Sequence, residues 1–182
     1  MRDDPVLKTL RGITSKLESL NIAYAVAGGM ALVAHGYDRT TAVVDILVTS
    51  AGLTEIHRQL DGLGYVPPFV GSTQLRDATT KVRIEFLVTG TYPGDGKPKP
   101  VAFPDPRDVG VAIDGIRFLR LEKLIELKLA SGMTNPGRLK DLADVQELIR
   151  ALKLDRSFSQ QLDPFVRDTF GELWDGVQAD GA

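Results

Sequence analysis

The chain has 182 residues, 43% of them hydrophobic and 25% charged, with a formal net charge of −2, a composition that fits one globular domain or a domain with a small appendage. It contains no cysteine, which excludes disulfides, thiolate metal sites and cysteine nucleophiles. The balanced charge gives no reason to expect non-specific binding to nucleic acid or membrane, although net charge is silent about local patches. No run approaches the roughly 18 consecutive apolar residues of a membrane span. The acidic start Met-Arg-Asp-Asp-Pro is no signal peptide, so a cytoplasmic location is expected.

In chain order, Val6, Leu7, Leu10, Ile13, Leu17 and Leu20 recur at helical spacing behind Pro5 and predict an amphipathic helix ending near Asn21. Ala23 to Ala27 reads as a short buried strand. Gly28-Gly29 permits a sharp turn, and Met30 to His35 fits a short helix stopped by Gly36. Val43 to Val48 is apolar and β-branched apart from Asp45, which predicts a second buried strand. Leu53, Ile56, Leu60 and Leu63 form a helical stripe with Gly64 just past its end. Tyr65-Val66 reads as a brief strand before Pro67-Pro68. Ser72 to Ala78 and Lys81 to Val88 predict an antiparallel pair turning at Asp77 to Thr80. In the second, Val82, Ile84, Phe86 and Val88 alternate with Lys81, Arg83, Glu85 and Leu87.

Thr89 to Arg107, rich in proline, glycine and aspartate, is a long loop. In a compact domain such a loop serves as a binding loop, a lid or a mobile segment. Val111 to Leu119 reads as a hairpin turning at Asp114-Gly115. Helices follow over Leu121 to Ala130, ended by Gly132, and over Arg138 to Leu152, with Leu139, Leu142, Val145, Leu148 and Ile149 on one face. A last helix lies within Ser157 to Val177. Strands cluster before residue 120 and helices after it. This predicts an α+β fold with a core over 1–120 and a helical part over 121–182 packed on it.

Asp45 is the anomaly, since a carboxylate in a segment fit for burial needs a partner or a metal. Two readings of its surroundings stand. Gly28-Gly29 is either a tight strand-to-helix turn or a loop whose backbone approaches phosphates, and Asp45 is either a ligand or a buried acid paired with Arg39 or Arg83. Glu85 is either a solvated residue of an alternating strand or a second ligand. His35 and His57 lie on predicted helices without a partner motif and read as structural. Lys128 interrupts an apolar helix face, snorkelling or reaching a phosphate. Lys140, Asp141 and Asp144 read as a solvated face with an i,i+4 pair from Lys140 to Asp144.

Gly28-Gly29, the short helix, Gly36, Arg39, Thr41 and the strand bearing Asp45 resemble the signature of the nucleotidyltransferase fold. They are most similar to small bacterial nucleotidyltransferase-like proteins, including toxins of the abortive-infection type. Leu124 to Ala130, Arg138, Lys140-Asp141 and Asp144 resemble the helical part of the same group, and the match spans roughly residues 22 to 150. The resemblance implies an α+β, nucleotidyltransferase-like mixed sheet flanked by helices. It implies binding of a nucleoside triphosphate with Mg²⁺ or Mn²⁺ and transfer of a nucleotide to a hydroxyl of RNA, protein or a small molecule. By the same resemblance, Gly28 and Gly29 are the phosphate loop, Asp45 and Glu85 the metal-binding and catalytic acids, and Arg39 or Lys128 the cations for the triphosphate. A toxin would also have an antitoxin-like partner protein. The departure is Val43, two residues before Asp45 on the same face, where the family carries its first acid. Asp38 is the other acid nearby. The sequence therefore carries an alternative, a catalytically degenerate homologue that binds a nucleotide or a partner protein without turnover.

Overall fold

The computed structural model describes residues 4–181. The chain opens with α1 (Pro5–Ser19), whose first free amides are taken by the Asp4 carboxylate, at 2.9 Å from the Val6 N–H. Leu10, Ile13 and Leu17 bury its inner face completely. There follow β1 (Ala25–Ala27), α2 (Gly28–Ala34), β2 (Val43–Val48), α3 (Ser50–Leu60), β3 (Tyr65–Val66), β4 (Gln74–Asp77) and β5 (Arg83–Val88). Beyond the long loop come α4 (Pro106–Val109), β6 (Gly110–Ile113), β7 (Ile116–Leu119), α5 (Leu121–Thr134), α6 (Leu139–Leu152) and α7 (Pro164–Asp180), with 3₁₀ turns at Pro136–Arg138 and Arg156–Gln161.

The seven strands form one mixed sheet in the order β3-β4-β5-β2-β1-β7-β6. The β2–β5 and β1–β7 pairs are parallel, the others antiparallel. Val44, Ile46, Leu75 and Ile84 point to one face and are fully buried there. Helices α1 and α3 cover that face: Thr9 of α1 reaches the Asp77 carboxylate, and Gly52 of α3 lies beside Val48. The other face carries Asp45 and Glu85 and meets α2 and the C-terminal helices. The architecture is the expected α+β one, a mixed sheet flanked by helices. Among the described residues no helix is long and apolar enough to cross a membrane.

Several local expectations are corrected. Helix α3 ends at Leu60, where the Asp61 N–H closes the last turn on His57. The chain then turns through Gly62 (φ +79°) and Gly64 (φ +99°), so Leu63 leaves the stripe and is 72% exposed. Gly132 does not end a helix but lies inside α5. A Cβ there would come within 2.5 Å of Leu142 Cγ, so the glycine lets α6 close on α5. Leu139 is exposed rather than on the buried face. Asp141 and Asp144 are buried, and Asp144 pairs with Arg39 and Lys128 instead of Lys140.

The long loop is tied down at both ends. Thr89 Oγ donates to the carbonyls of Val48 and Pro104, the Gly90 N–H donates to the Phe103 carbonyl, the Phe103 N–H donates to the Thr91 carbonyl, and the Asn135 amide donates to the Gly94 carbonyl at 3.1 Å. Within it the Lys99 ammonium is buried among the Pro93 and Lys97 carbonyls and the Asp95 carboxylate. Tyr92, Pro93, Gly94 and Phe103 of this loop line a cavity.

Candidate active site

The site begins with strand register. Parallel pairing of β2 with β5 sets Asp45 directly beside Glu85, and antiparallel pairing of β2 with β1 sets it beside Ala27. Successive strand residues alternate faces, so Val43, Asp45 and Leu47 point the same way as Arg83, Glu85 and Leu87, their register partners. The two acids therefore project together from the centre of the sheet, next to the point where β1 turns into α2.

Gly28 makes that turn with φ +60°. A Cβ on it would collide with Asp45 Oδ2 and lie 2.7 Å from Asp45 Cγ. At Gly29 a Cβ would lie 2.7 Å from Thr41 Oγ1. Each glycine thus makes room for a side chain of the following segment, Asp45 in one case and Thr41 in the other. The Thr41 hydroxyl in turn donates to the Val43 carbonyl at 3.1 Å and fixes the entry to β2.

Asp45 is mostly buried. That burial, and next the Glu85 charge beside it, push its carboxyl up to about 6, against the opposing pull of Lys128 and Arg138. Neither expected partner reaches it. Arg39 is committed to Asp144, Nη1 to Oδ1 at 2.5 Å, and Arg83 to Glu85, Nη2 to Oε1 at 3.1 Å. Glu85 also accepts from the Gln74 amide at 3.4 Å. Asp45 thus faces a second carboxylate with no cation in contact among the described residues.

Over the acids lies a cavity of about 290 Å³. Its floor is Ala27, Gly28, Asp45 and Glu85. One wall is Leu124, Leu127 and Lys128 of α5, and the loop residues Tyr92, Pro93, Gly94 and Phe103 form another, with Arg138 and Asp141 at the rim. The cations at this edge are held by buried acids. Lys128 Nζ lies 3.3 Å from Asp141 Oδ1 and 2.9 Å from Asp144 Oδ2. Arg138 Nε lies 3.0 Å from Asp141 Oδ2, which also accepts from the Ser131 hydroxyl at 2.6 Å. Burial would raise Asp141, but Lys128, Ser131 and Arg138 outweigh it and hold it below the usual carboxylate range.

Of the residues singled out in the sequence, Gly28, Asp45, Glu85, Lys128, Arg138 and Asp141 line one cavity. Arg39, Gly29 and Asp38 do not line it: Arg39 anchors α6 through Asp144, and Gly29 packs on Thr41. Sequence reasoning missed Ser131 and Tyr92, and read Asp141 and Asp144 as solvated. For the two aspartates a signal existed, since Lys128 on an apolar helix face needs buried counter-charges. For Tyr92 there was none, because a loop has no periodicity to read. The histidines are structural: His35 Nε2 lies 2.6 Å from the Leu119 carbonyl, and His57 bridges Asp61 and the Ser72 carbonyl.

No protein-family model matches the chain, and no curated protein sequence matches it. Solved structures do. The chain is similar to the antibiotic-resistance factor ANT(2″)-Ia, whose solution structure has a TM-score of 0.59 at 11% identity, covering 98% of this chain and 96% of that one. A crystal structure of ANT(2″)-Ia with adenylyl-2″-tobramycin gives a TM-score of 0.54 at 12% identity, with both chains covered in full. An antigenic nucleotidyltransferase-like protein from Paracoccidioides brasiliensis gives 0.55 at 19% identity, covering 98% and 90%. At such identities the likeness concerns the backbone: the chain has a nucleotidyltransferase-like fold.

Proposed function

We propose that this protein binds a nucleoside triphosphate in the cavity above Asp45 and Glu85 and transfers its nucleotide to a hydroxyl acceptor. The observation that carries the reading is the in-register carboxylate pair at the Gly28 turn, faced by Lys128 and Arg138 across a cavity. In the transfer the acceptor oxygen attacks the α-phosphorus, the bond to the bridging oxygen breaks, and pyrophosphate leaves. The hydroxyl proton passes to the carboxylate pair. Leu124, Leu127, Tyr92 and Phe103 give the cavity apolar walls for a base and exclude water from part of it.

The donor set suits one divalent cation. Asp45 lacks a counter-charge in contact, and two carboxylates with triphosphate oxygens and water satisfy Mg²⁺. Asp45 and Glu85 would hold Mg²⁺ or Mn²⁺, which on binding neutralises the triphosphate and the carboxylate pair. The second reading, a degenerate homologue that binds nucleotide or a partner protein without turnover, is favoured by Val43. Its place beside Asp45 is apolar, and no group of three metal-binding side chains exists among the described residues. The toxin setting belongs to the same proposal: the chain expressed alone would arrest growth, and an antitoxin-like partner would relieve the arrest.

The test is incubation with each labelled triphosphate, Mg²⁺ or Mn²⁺ and total RNA. Label transfer with pyrophosphate release supports the enzyme. Thermal stabilisation by triphosphate and metal without transfer supports the binding module. Absence of both overturns the proposal.

A further inference from the structure

Beside the two acids, on the same sheet face, lies a feature that nucleotide binding does not use. Antiparallel pairing of β4 with β5 sets Gln74 opposite Glu85 and Arg76 opposite Arg83, and pairing of β2 with β5 adds Val43 to the second row. The place held by an acid in the related signature is thus held by valine, at the end of a row that continues through Arg83 to Arg76. Like charges directly opposite one another destabilise a strand pair unless an anion lies between them. Arg83 finds a partial answer in Glu85 at 3.1 Å, yet its side chain remains 46% exposed. Arg76 donates to the Lys81 carbonyl at 2.7 Å and pairs with no carboxylate among the described residues.

The surface next to the arginines is open and apolar. Val66, Pro67, Pro68, Gln74, Arg76 and Arg83 line a groove of about 140 Å³. Past it the chain exposes Phe69 (67%) and Val70 (98%). Gln74 and Arg83 line the groove and both contact Glu85, so the groove adjoins the carboxylate pair on its β4 side, whereas Lys128 and Arg138 line the cavity over the acids. In-line displacement requires the acceptor to approach from the side opposite the leaving pyrophosphate. With the nucleotide in the cavity under α5, the groove beside Glu85 is a separate approach to the acids for the acceptor.

We infer that the Arg76–Arg83 row is the acceptor subsite and that it binds a phosphate next to the attacking hydroxyl. The inference rests on the nucleotidyl-transfer reading for the identity of the site. The acceptor is then anionic, either the end of an RNA strand or a free phosphorylated small molecule such as a nucleoside monophosphate. Guanidinium groups are suited to phosphate through paired, charge-assisted hydrogen bonds. A strand would add stacking of a base on the exposed Phe69 ring. A polycation such as the aminoglycoside portion of the ANT(2″)-Ia complex would meet like charge here. The chemistry of the step is unchanged: the acceptor oxygen bonds to the α-phosphorus, pyrophosphate departs, and the proton goes to the carboxylate pair.

The test is direct binding without nucleotide, by anisotropy of a fluorescent single-stranded oligoribonucleotide, on wild type, Arg76→Gln, the Arg76→Gln/Arg83→Gln double variant and Phe69→Ala. Urea unfolding of each verifies that it is folded. The expected result is salt-sensitive binding whose log–log salt slope falls by about 0.7 for each arginine removed. Weaker binding of Phe69→Ala, with adenosine monophosphate a poorer competitor than unlabelled oligomer, identifies a strand. Equal competition that still depends on Arg76 identifies a small phosphorylated acceptor, and the phosphate subsite stands. Binding that ignores both arginines, or tobramycin binding in place of both anions, overturns the inference. Thermal stabilisation of the wild type by triphosphate and Mg²⁺ is read separately. If it occurs without oligomer or monophosphate binding, the acceptor subsite falls and the nucleotide reading survives. If it is absent while arginine-dependent binding persists, the phosphate site stands but the nucleotide reading falls, and with it the site's role as an acceptor subsite.

Discussion

Replacing Asp45 by asparagine should stabilise the metal-free protein, and by an amount that depends on pH. An aspartate ordinarily titrates near 3.8, whereas in the fold burial and Glu85 raise Asp45 to about 6. Below the lower value both folded and unfolded chains are protonated, and the residue adds no penalty. Between the two values the unfolded chain ionises while the folded one does not, so stability falls as pH rises. Above about 6 the full penalty is present. The gap corresponds to about 3 kcal/mol at 1.36 kcal/mol per tenfold change in proton affinity. Asparagine is of similar size, fits beside Gly28, and can donate to Glu85. Urea unfolding of wild type and Asp45→Asn at pH 4 and pH 7.5 should show near-equal stabilities at the lower pH. At the higher pH the variant should gain up to about 3 kcal/mol, a rise in Tm of about 6–12 °C for a chain of this size. Acids remote from Asp45 titrate alike in both proteins and cancel in the difference. Mg²⁺ with a triphosphate should close the gap by stabilising only the wild type. A variant less stable than wild type at pH 7.5, or equally stabilised at both pH values, would refute an uncompensated Asp45 carboxylate.

Val43→Asp supplies a third carboxylate on the face of Asp45, in register with Arg83. It should raise Mn²⁺ affinity by more than about tenfold, measured by calorimetry with a triphosphate present, and unchanged affinity would remove Val43 as the cause of a weakened site. Lys128→Met takes a cation from between two buried acids. It should cost about 3 kcal/mol in denaturant unfolding, near the lower end for broken buried pairs because Arg39 and Arg138 remain, and a loss under 1 kcal/mol contradicts the network. Gly28→Ala needs a left-handed backbone and pushes a methyl into the Asp45 carboxylate. It should lower stability by about 2 kcal/mol or more and abolish thermal stabilisation by triphosphate, and a stable variant that still binds would show that the turn can move.

How far the sequence was legible depends on the range over which each cue acts. Periodicity and turn residues are local cues, and they predicted α1, the alternation along β5 and the Asp114-Gly115 hairpin. The Gly28 turn and Asp45 were recognised together, and register then joined them to Glu85. What escaped was set by tertiary contact. Gly132 has the composition of a helix end, but a helix continues through glycine when the neighbouring helix needs the space that Leu142 fills. Lys140 and Asp144 match the i,i+4 template, yet Asp144 points inward because Arg39, far away in sequence, offers a charge there. The Arg76–Arg83 row was invisible for the same reason: two arginines seven residues apart become neighbours only once the hairpin register is known.

The position of β1 has a consequence for how the chain is made. This three-residue strand is buried near the middle of the sheet, with β2 on one side and β7 on the other. Its first neighbour follows within a few turns of chain, but Phe118, the partner of Val26, is synthesised only after α3, β3–β5 and the long loop. Until then the growing polypeptide holds a sheet with one apolar, unpaired margin, the kind of edge that recruits strands from other molecules. Closure by β7 is a late, long-range event of the sort that slows folding. The same event carries α5 and Lys128 to the cavity, so a nascent chain halted before β7 would be sticky and would lack the wall against which a nucleotide rests.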